Sequence, residues 1–170
     1  IRLSLVGSEM CIRDRINAGC YVFDRSVIES IPAGRVVSVE RETFPGLLAD
    51  ARLVVGHVDN SYWRDMGRPD DFTRGSSDLV RGIAPSPLLE GRTGESLVES
   101  SAGIAGGVLL LSGTAVGRGS EVGAGSRLEG TVVFDGVRIE PGAIIHNSII
   151  ASGAHIGANA VIENLSLIHI

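Results

Sequence analysis

Three short stretches of this sequence carry side chains suited to binding chemistry. In "NAG" at positions 17–19, Asn17 offers an amide that both donates and accepts hydrogen bonds. Gly19, with no side chain, lets a ligand come close to the backbone. "SVERETFP" places the carboxylate of Glu40 beside Arg41, whose guanidinium can hold a phosphate through two parallel hydrogen bonds. "YWRDMG" carries Asp65 close to a glycine, a hard oxygen ligand of the type that magnesium takes in ones or twos. Cys11 and Cys20 have no CxxC or Cys/His spacing, which argues against a zinc site or a disulfide scaffold and fits a reducing cytoplasm.

These residues need elements to position them. The apolar run at 16–23, with Tyr21, Val22 and Phe23, has strand chemistry. In "DRSVIESIPAG" the residues Val27, Ile28 and Ile31 recur at helical spacing, with Asp24 or Ser26 as cap and Pro32 and Gly34 as stop. "SVERETFPGLLAD" predicts a second helix capped by Ser38 and broken or restarted near Pro45, followed by a strand in "RLVVGHV". An aromatic strand end then turns at Gly67 and Pro69 into a helix carrying Phe72, Leu79 and Val80. Asp70 and Asp71 suit the positive end of that helix. The alternation is α/β.

A stretch without period, residues 84–103, reads as a linker. Beyond it, apolar residues recur every six positions: Ile104, Leu110, Val116, Val122 and Leu128. The step shortens after Phe134 and again after Ala151, giving a longer repeat of 17 residues in which Val122, Ile139 and Ile156 align, as do Leu128, Ile145 and Ile162. Gly125, Gly142 and Asn159 form one column, the residue types that adopt positive φ at a tight corner. A chain that turns every six residues with one aliphatic side chain inward per side builds a triangular, left-handed parallel β-helix over residues 104–164.

Composition narrows the classes. The chain has 170 residues, a net charge of −5 and 15 basic residues, all arginine, so no basic field is present for nucleic acid. No apolar run reaches the roughly 18 residues of a membrane helix. "LSLVGSEMCIRDR" at the start and "LSLIHI" at the end resemble translated sequencing-adapter read-through. Residues 1–15 and 165–170 are therefore set apart from the fold, and the parent protein is expected to extend beyond both ends.

The segment "INAGCYVF", "VSVERETFPGLL" and "SYWRDMGRPDDF", in that order and followed by hexapeptide repeats, resembles the mannose-1-phosphate guanylyltransferase family of sugar nucleotidyltransferases. The resemblance covers residues 16–164. It implies a doubly wound α/β domain, of which residues 16–83 are the C-terminal part, and a reaction that joins GTP to mannose 1-phosphate and releases pyrophosphate. By the same resemblance, Asn17, Gly19 and Glu40 bind the hexose, Arg41 stands where the family often has lysine near the sugar phosphate, and Asp65 helps hold Mg²⁺. Self-association through the β-helix is expected. The family's "GGxGTRLxPLT" loop has no counterpart, and "CIRDR" stands where "EKP" is expected, so this chain alone is expected to be inactive. Three alternatives are another NDP-hexose pyrophosphorylase, a noncatalytic regulatory paralogue, and a hexapeptide acyltransferase using His146 or His155 as base. Such an acyltransferase does not need the α/β segment, and the presence of Glu40 and Asp65 argues against a noncatalytic paralogue.

Overall fold

A computed structural model describes residues 11–12 and 15–167, with side-chain surroundings for residues 17–166. The expectations for residues 1–10, 13–14 and 168–170 lie outside it. Two compact units divide at Asn60 and Ser61.

In the first unit, β1 (Cys11–Ile12) pairs antiparallel with β2 (Arg15–Ile16). Helix α1 (Arg25–Ser30) starts where the Asp24 carboxylate accepts the Ser26 N–H at 2.9 Å. A π-helical turn (Val39–Thr43), capped by Ser38, runs into α2 (Phe44–Ala49), so the predicted second helix is present with a change of pitch where Pro45 enters. Of the strands expected at residues 16–23 and 52–58 only Ile16 is in a strand, the end of β2; residues 17–23 and 52–58 lack strand pairing, and Val22, Leu53 and Val55 are exposed. The reason is physical, because a strand exists only where a neighbour exchanges its backbone hydrogen bonds, and among the described residues none lies beside these.

The second unit begins with a loop and α3 (Pro69–Val80), which has proline in its first turn with Asp70 and Asp71, as the sequence predicts. Asp78 fastens the entering chain to the helix, accepting from Tyr62 Oη at 2.7 Å and from Arg64 Nη2 at 2.8 Å. The β-helix follows coil by coil. Its first coil is β3 (Ser96–Val98), β4 (Gly103–Ile104) and β5 (Leu109–Leu111), so its first strand falls within the stretch that lacks period in the sequence. The second is β6 (Thr114–Val116), β7 (Glu121–Val122) and β8 (Arg127–Glu129). The third is β9 (Val132–Val133), β10 (Arg138–Ile139) and β11 (Ile144–His146). The fourth is β12 (Ile149–Ile150), β13 (His155–Ile156) and β14 (Val161–Glu163), and β15 (Ser166–Leu167) starts another. Each of these strands pairs in parallel with its counterpart in the neighbouring coil, forming three sheets.

The inward ladder is the expected one. Val116, Val122, Leu128, Ile139, Ile145 and Ile156 are all at most 5% exposed, and Ile162 packs against them partly buried. Each such burial contributes about 1.5–3 kcal/mol. Gly125, Gly142 and Asn159 do take positive φ, at +69°, +77° and +58°.

One detail corrects the expected register. On the short side it is Val133, not Phe134, that points inward: Val133 is 2% exposed and Phe134 40%. The cause is a corner. The first coil turns it with two left-handed residues, Ser112 at φ +55° and Gly113 at +75°, whereas the next coils use only Gly130 at +54° and Asn147 at +44°. Hence Val98 pairs with Val116, 18 residues on, but Val116 with Val133, 17 on. At this same corner α3 touches the β-helix. Ser77 Oγ donates to the Ser112 carbonyl at 2.7 Å, and a methyl on Gly113 would lie 2.6 Å from Ser77 Cα. Phe72 stacks on Phe134, with ring centroids 6.4 Å apart.

A second set of inward residues is polar. Thr114, Ser120, Ser126, Thr131 and Ser148 are fully buried at the corners, and their hydroxyls stitch coil to coil. Ser120 Oγ donates to the Phe134 carbonyl at 2.7 Å and accepts the Val137 N–H at 3.1 Å. Ser126 Oγ likewise bridges the Glu140 carbonyl and the Ala143 N–H. Among the described residues no buried side-chain polar atom is left without a partner.

Candidate functional site

The site in the first unit is assembled from two loops. Asn17 Oδ1 accepts the Gly19 N–H at 3.0 Å, an Asx turn that Gly19 completes with φ +70°. The extended stretch that follows is clamped by its aromatic rings. Tyr21 meets Phe44 edge-on with centroids 5.2 Å apart, and Phe23 lies 5.7 Å from the same ring.

Opposite stands the π-helical turn. Ser38 Oγ accepts the Arg41 N–H at 3.2 Å, while Glu42 Oε1 accepts the Ser38 N–H at 3.1 Å, a reciprocal cap. Arg35 then pairs with Glu42 Oε2 at 2.7 Å. That hydrogen bond first, and the one from Ser38 second, hold the Glu42 carboxyl below its ordinary pKa. Glu42 is thus committed to the scaffold, and Glu40, two positions back, projects elsewhere.

Glu40 meets Asn17. Asn17 Nδ2 donates to Glu40 Oε1 at 2.6 Å and to Tyr21 Oη at 2.6 Å, and Tyr21 Oη donates to the same Glu40 Oε1 at 2.7 Å. Burial, followed by donation to Glu40, raises the Tyr21 pKa. The structure therefore brings Asn17, Gly19 and Glu40 together and adds Tyr21, which sequence reasoning assigned only to strand chemistry. The signal was available: in an extended chain residues 17, 19 and 21 share a face.

Arg41 leaves the same turn as Glu40, and its guanidinium is exposed without a hydrogen-bonded partner among the described residues. Asp65 belongs to the second unit. It sits in the loop before α3, exposed, its carboxylate 3.5 Å from where a methyl on Gly67 would lie. It has no ion pair or hydrogen bond among the described residues, and these contain no group of three or more His, Cys, Asp or Glu placed to hold a metal. A lone accessible carboxylate fits a hard divalent cation that takes its remaining ligands from phosphate and water, and would not suit a metal needing an all-protein cage.

The repeat histidines are on the outside of the coils. His146 Nδ1 lies 3.0 Å from Glu129 Oε2, and His155 Nε2 lies 3.0 Å from Glu140 Oε1, which Arg138 also contacts. Both are paired with carboxylates, and the acyltransferase reading is not favoured. Cys20 is a free, exposed thiol. No helix among the described residues is long and apolar enough to cross a membrane.

Comparison with known proteins finds two family models, one after the other along the chain. Residues 8–82 match the family model described as nucleotidyl transferase, and residues 92–169 match that of the GMPPB C-terminal domain. Mannose-1-phosphate guanylyltransferase of Mycobacterium tuberculosis is 64% identical over 117 residues, covering 68% of this chain and 33% of that protein. Mannose-1-phosphate guanylyltransferase 1 of Arabidopsis thaliana is 35% identical over 125 residues, covering 71% and 34%. Mannose-1-phosphate guanyltransferase of Neurospora crassa is 37% identical over 101 residues, covering 55% and 27%. The chain thus spans about a third of the length of the curated relatives it matches. With the two models meeting the α/β segment and the β-helix in that order, the chain belongs to the nucleotidyl transferase family, in the group whose members are named mannose-1-phosphate guanylyltransferases.

Proposed function

We propose that this chain is part of an enzyme that makes GDP-mannose and pyrophosphate from GTP and mannose 1-phosphate. The observation that carries the reading is the 64% identity to the mycobacterial protein of that name. In this reaction an oxygen of the sugar phosphate attacks the α-phosphorus of GTP, and the bond to the β-phosphate breaks. The sugar phosphate is already anionic at neutral pH, so no side chain has to remove a proton, and positioning with charge neutralisation carries the catalysis. No residue of this chain is assigned as a catalytic acid or base.

The assignments are those the family resemblance implies, and the chemistry of each residue suits its role. Asn17, Gly19 and Glu40 form the hexose pocket, with Glu40 as acceptor for a sugar hydroxyl. Arg41 grips the sugar phosphate in a bidentate manner. Nucleotidyl transferases use a divalent metal, and here we assign Mg²⁺ with Asp65 as its protein ligand; bound, it would screen the two phosphates from one another. We further assign residues 16–83 to the nucleotidyl transferase domain, and the coils from β3 onward to a β-helix that mediates self-association in the cytoplasm.

The test is a chimera in which the matched segment of this chain replaces the corresponding third of the mycobacterial relative. The expected product is GDP-mannose, at a rate within about tenfold of the parent. A folded chimera that prefers glucose 1-phosphate, or another nucleotide, would refute the substrate assignment.

A further inference from the structure

We propose that Tyr21 is the residue that positions Glu40, fixing which carboxylate oxygen meets the sugar. This rests on the reading of Glu40 as the hexose acceptor given above.

The geometry is specific about the two oxygens. Glu40 Oε1 accepts from Asn17 Nδ2 at 2.6 Å and from Tyr21 Oη at 2.7 Å. Oε2 has no partner among the described residues. An ionised carboxylate has about four acceptor positions, two on each oxygen, and two donors on Oε1 consume that atom's share. Oε2 is left to receive the substrate hydroxyl.

Tyr21 is better placed than Asn17 to set this orientation. Asn17 spends both of its amide protons and one lone-pair direction inside the cluster, on Tyr21, Glu40 and the Gly19 N–H. It is a half-buried loop side chain that the cluster itself holds. Tyr21, in contrast, is held from outside: its ring packs against Phe44 at 5.2 Å and lies 6.0 Å from Phe23. A rigid ring with two rotatable bonds delivers its hydroxyl to a fixed point at little entropic cost. Glu40 has three rotatable bonds and is exposed, and without Tyr21 its carboxylate would sample several rotamers. Tyr21 therefore acts on the sugar through Glu40 and does not itself touch the reacting atoms.

The test uses Tyr21→Phe in the chimera, which keeps the ring and removes the hydroxyl. We expect KM for mannose 1-phosphate to rise about tenfold, with kcat within about threefold and KM for GTP unchanged. The melting temperature should stay within about 2 °C. In a Glu40→Gln background the same substitution should change KM for mannose 1-phosphate by less than about twofold, since a residue acting only through Glu40 has nothing left to position. Among monodeoxy analogues of mannose 1-phosphate, one should give equal KM values with and without the Tyr21 hydroxyl, and it names the hydroxyl seated on Oε2. Two results would overturn the assignment: an unchanged KM in Tyr21→Phe, or an equal penalty in the Glu40→Gln background, which would make Tyr21 a packing residue. If the unaltered chimera makes no GDP-mannose, the proposed function and this assignment fall together; if it is active and Tyr21→Phe is silent, only the positioning falls.

Discussion

In the β-helix an extended segment finds its hydrogen-bonding partner 17 residues away along the chain, and the same pairing recurs on three sides. The extended stretches of the first unit, at residues 17–23 and 52–58, have no such partner among the described residues. The burial differs accordingly. The β-helix encloses ten buried apolar residues in one cluster, whereas the first unit buries only Val27 and Leu47 among its described side chains. A repeat supplies its own neighbours, while a strand of an open sheet depends on strands distant in sequence. The irregular unit nevertheless carries Asn17, Tyr21, Glu40 and Arg41. Regularity holds the molecule together, and irregular backbone presents its polar groups.

The largest blow to the regular half is Ile145→Asp. Ile145 is fully buried between Leu128 and Ile162 in adjacent coils, and an unpaired carboxylate there costs about 4 kcal/mol or more. Thermal melting should show the β-helix transition lowered by ten degrees or more or lost, on the order expected for a domain of this size. A variant that melts like the parent would mean that the ladder is not what holds the coils.

Next in size is a test of the irregular stretches. Asp65→Asn in the chimera keeps shape and removes charge, and turnover should fall by about two orders of magnitude, about 3 kcal/mol, with melting unchanged. A magnesium titration beside a thermal melt checks it: normal turnover removes Asp65 from the metal site, and a collapsed melt makes it structural.

Ser126→Ala sharpens the comparison within the β-helix, because it leaves the ladder intact and cuts one stitch. The Ala143 N–H loses its acceptor and the Glu140 carbonyl its donor, so a loss of about 1–2 kcal/mol in a denaturant melt is expected. No loss would show that the backbone ladder alone suffices.

A smaller effect is expected from pH on the outer face. The His155 hydrogen bond first, opposed by partial burial and aided by Arg138, holds the Glu140 carboxyl below its usual pKa. A depressed carboxylate stabilises the fold above its unfolded pKa, and that contribution disappears as pH falls through the folded value. The melting gap between parent and Glu140→Gln should therefore be open at pH 6 and close below the ordinary carboxylate value of about 4.3. A gap that persists at pH 3 would mean that the pair does not contribute through charge.

Least of all should the β-helix respond to Leu47→Ala. Leu47 is buried in the first unit, yet the β-helix transition should move by less than about 0.5 kcal/mol. A larger shift in a two-probe melt would show that the units unfold as one.

Legibility from sequence follows the same contrast. Val122, Ile139 and Ile156 could be aligned by eye because the fold repeats what the sequence repeats. Val133 aligns with Ile150 in the same way, but the step of six lands on Phe134, and the choice between these two apolar neighbours depends on how many left-handed residues round a corner. The buried serines were passed over because serine is equally at home on a surface. In the first unit the caps Asp24 and Ser38 were readable, being local. The meeting of Asn17 with Glu40 was readable only through the motifs that carry the family resemblance, and Tyr21 was read as strand chemistry because β-propensity says nothing about where a hydroxyl ends.

The extra residue of the first coil has a further consequence. Gly113 breaks the beat of the repeat, and it is also where Ser77 of α3 makes its closest approach. Pure repetition would give every coil an identical corner, and a helix would then have several equivalent places to dock, a slip of one coil shifting it by the roughly 4.8 Å spacing of neighbouring strands. One out-of-step glycine removes that degeneracy, because only this corner has both the added length and the missing methyl. In a protein built from copies, the copying error serves as the address, and deleting Gly113 should leave the coils stacked while α3 loses its unique berth.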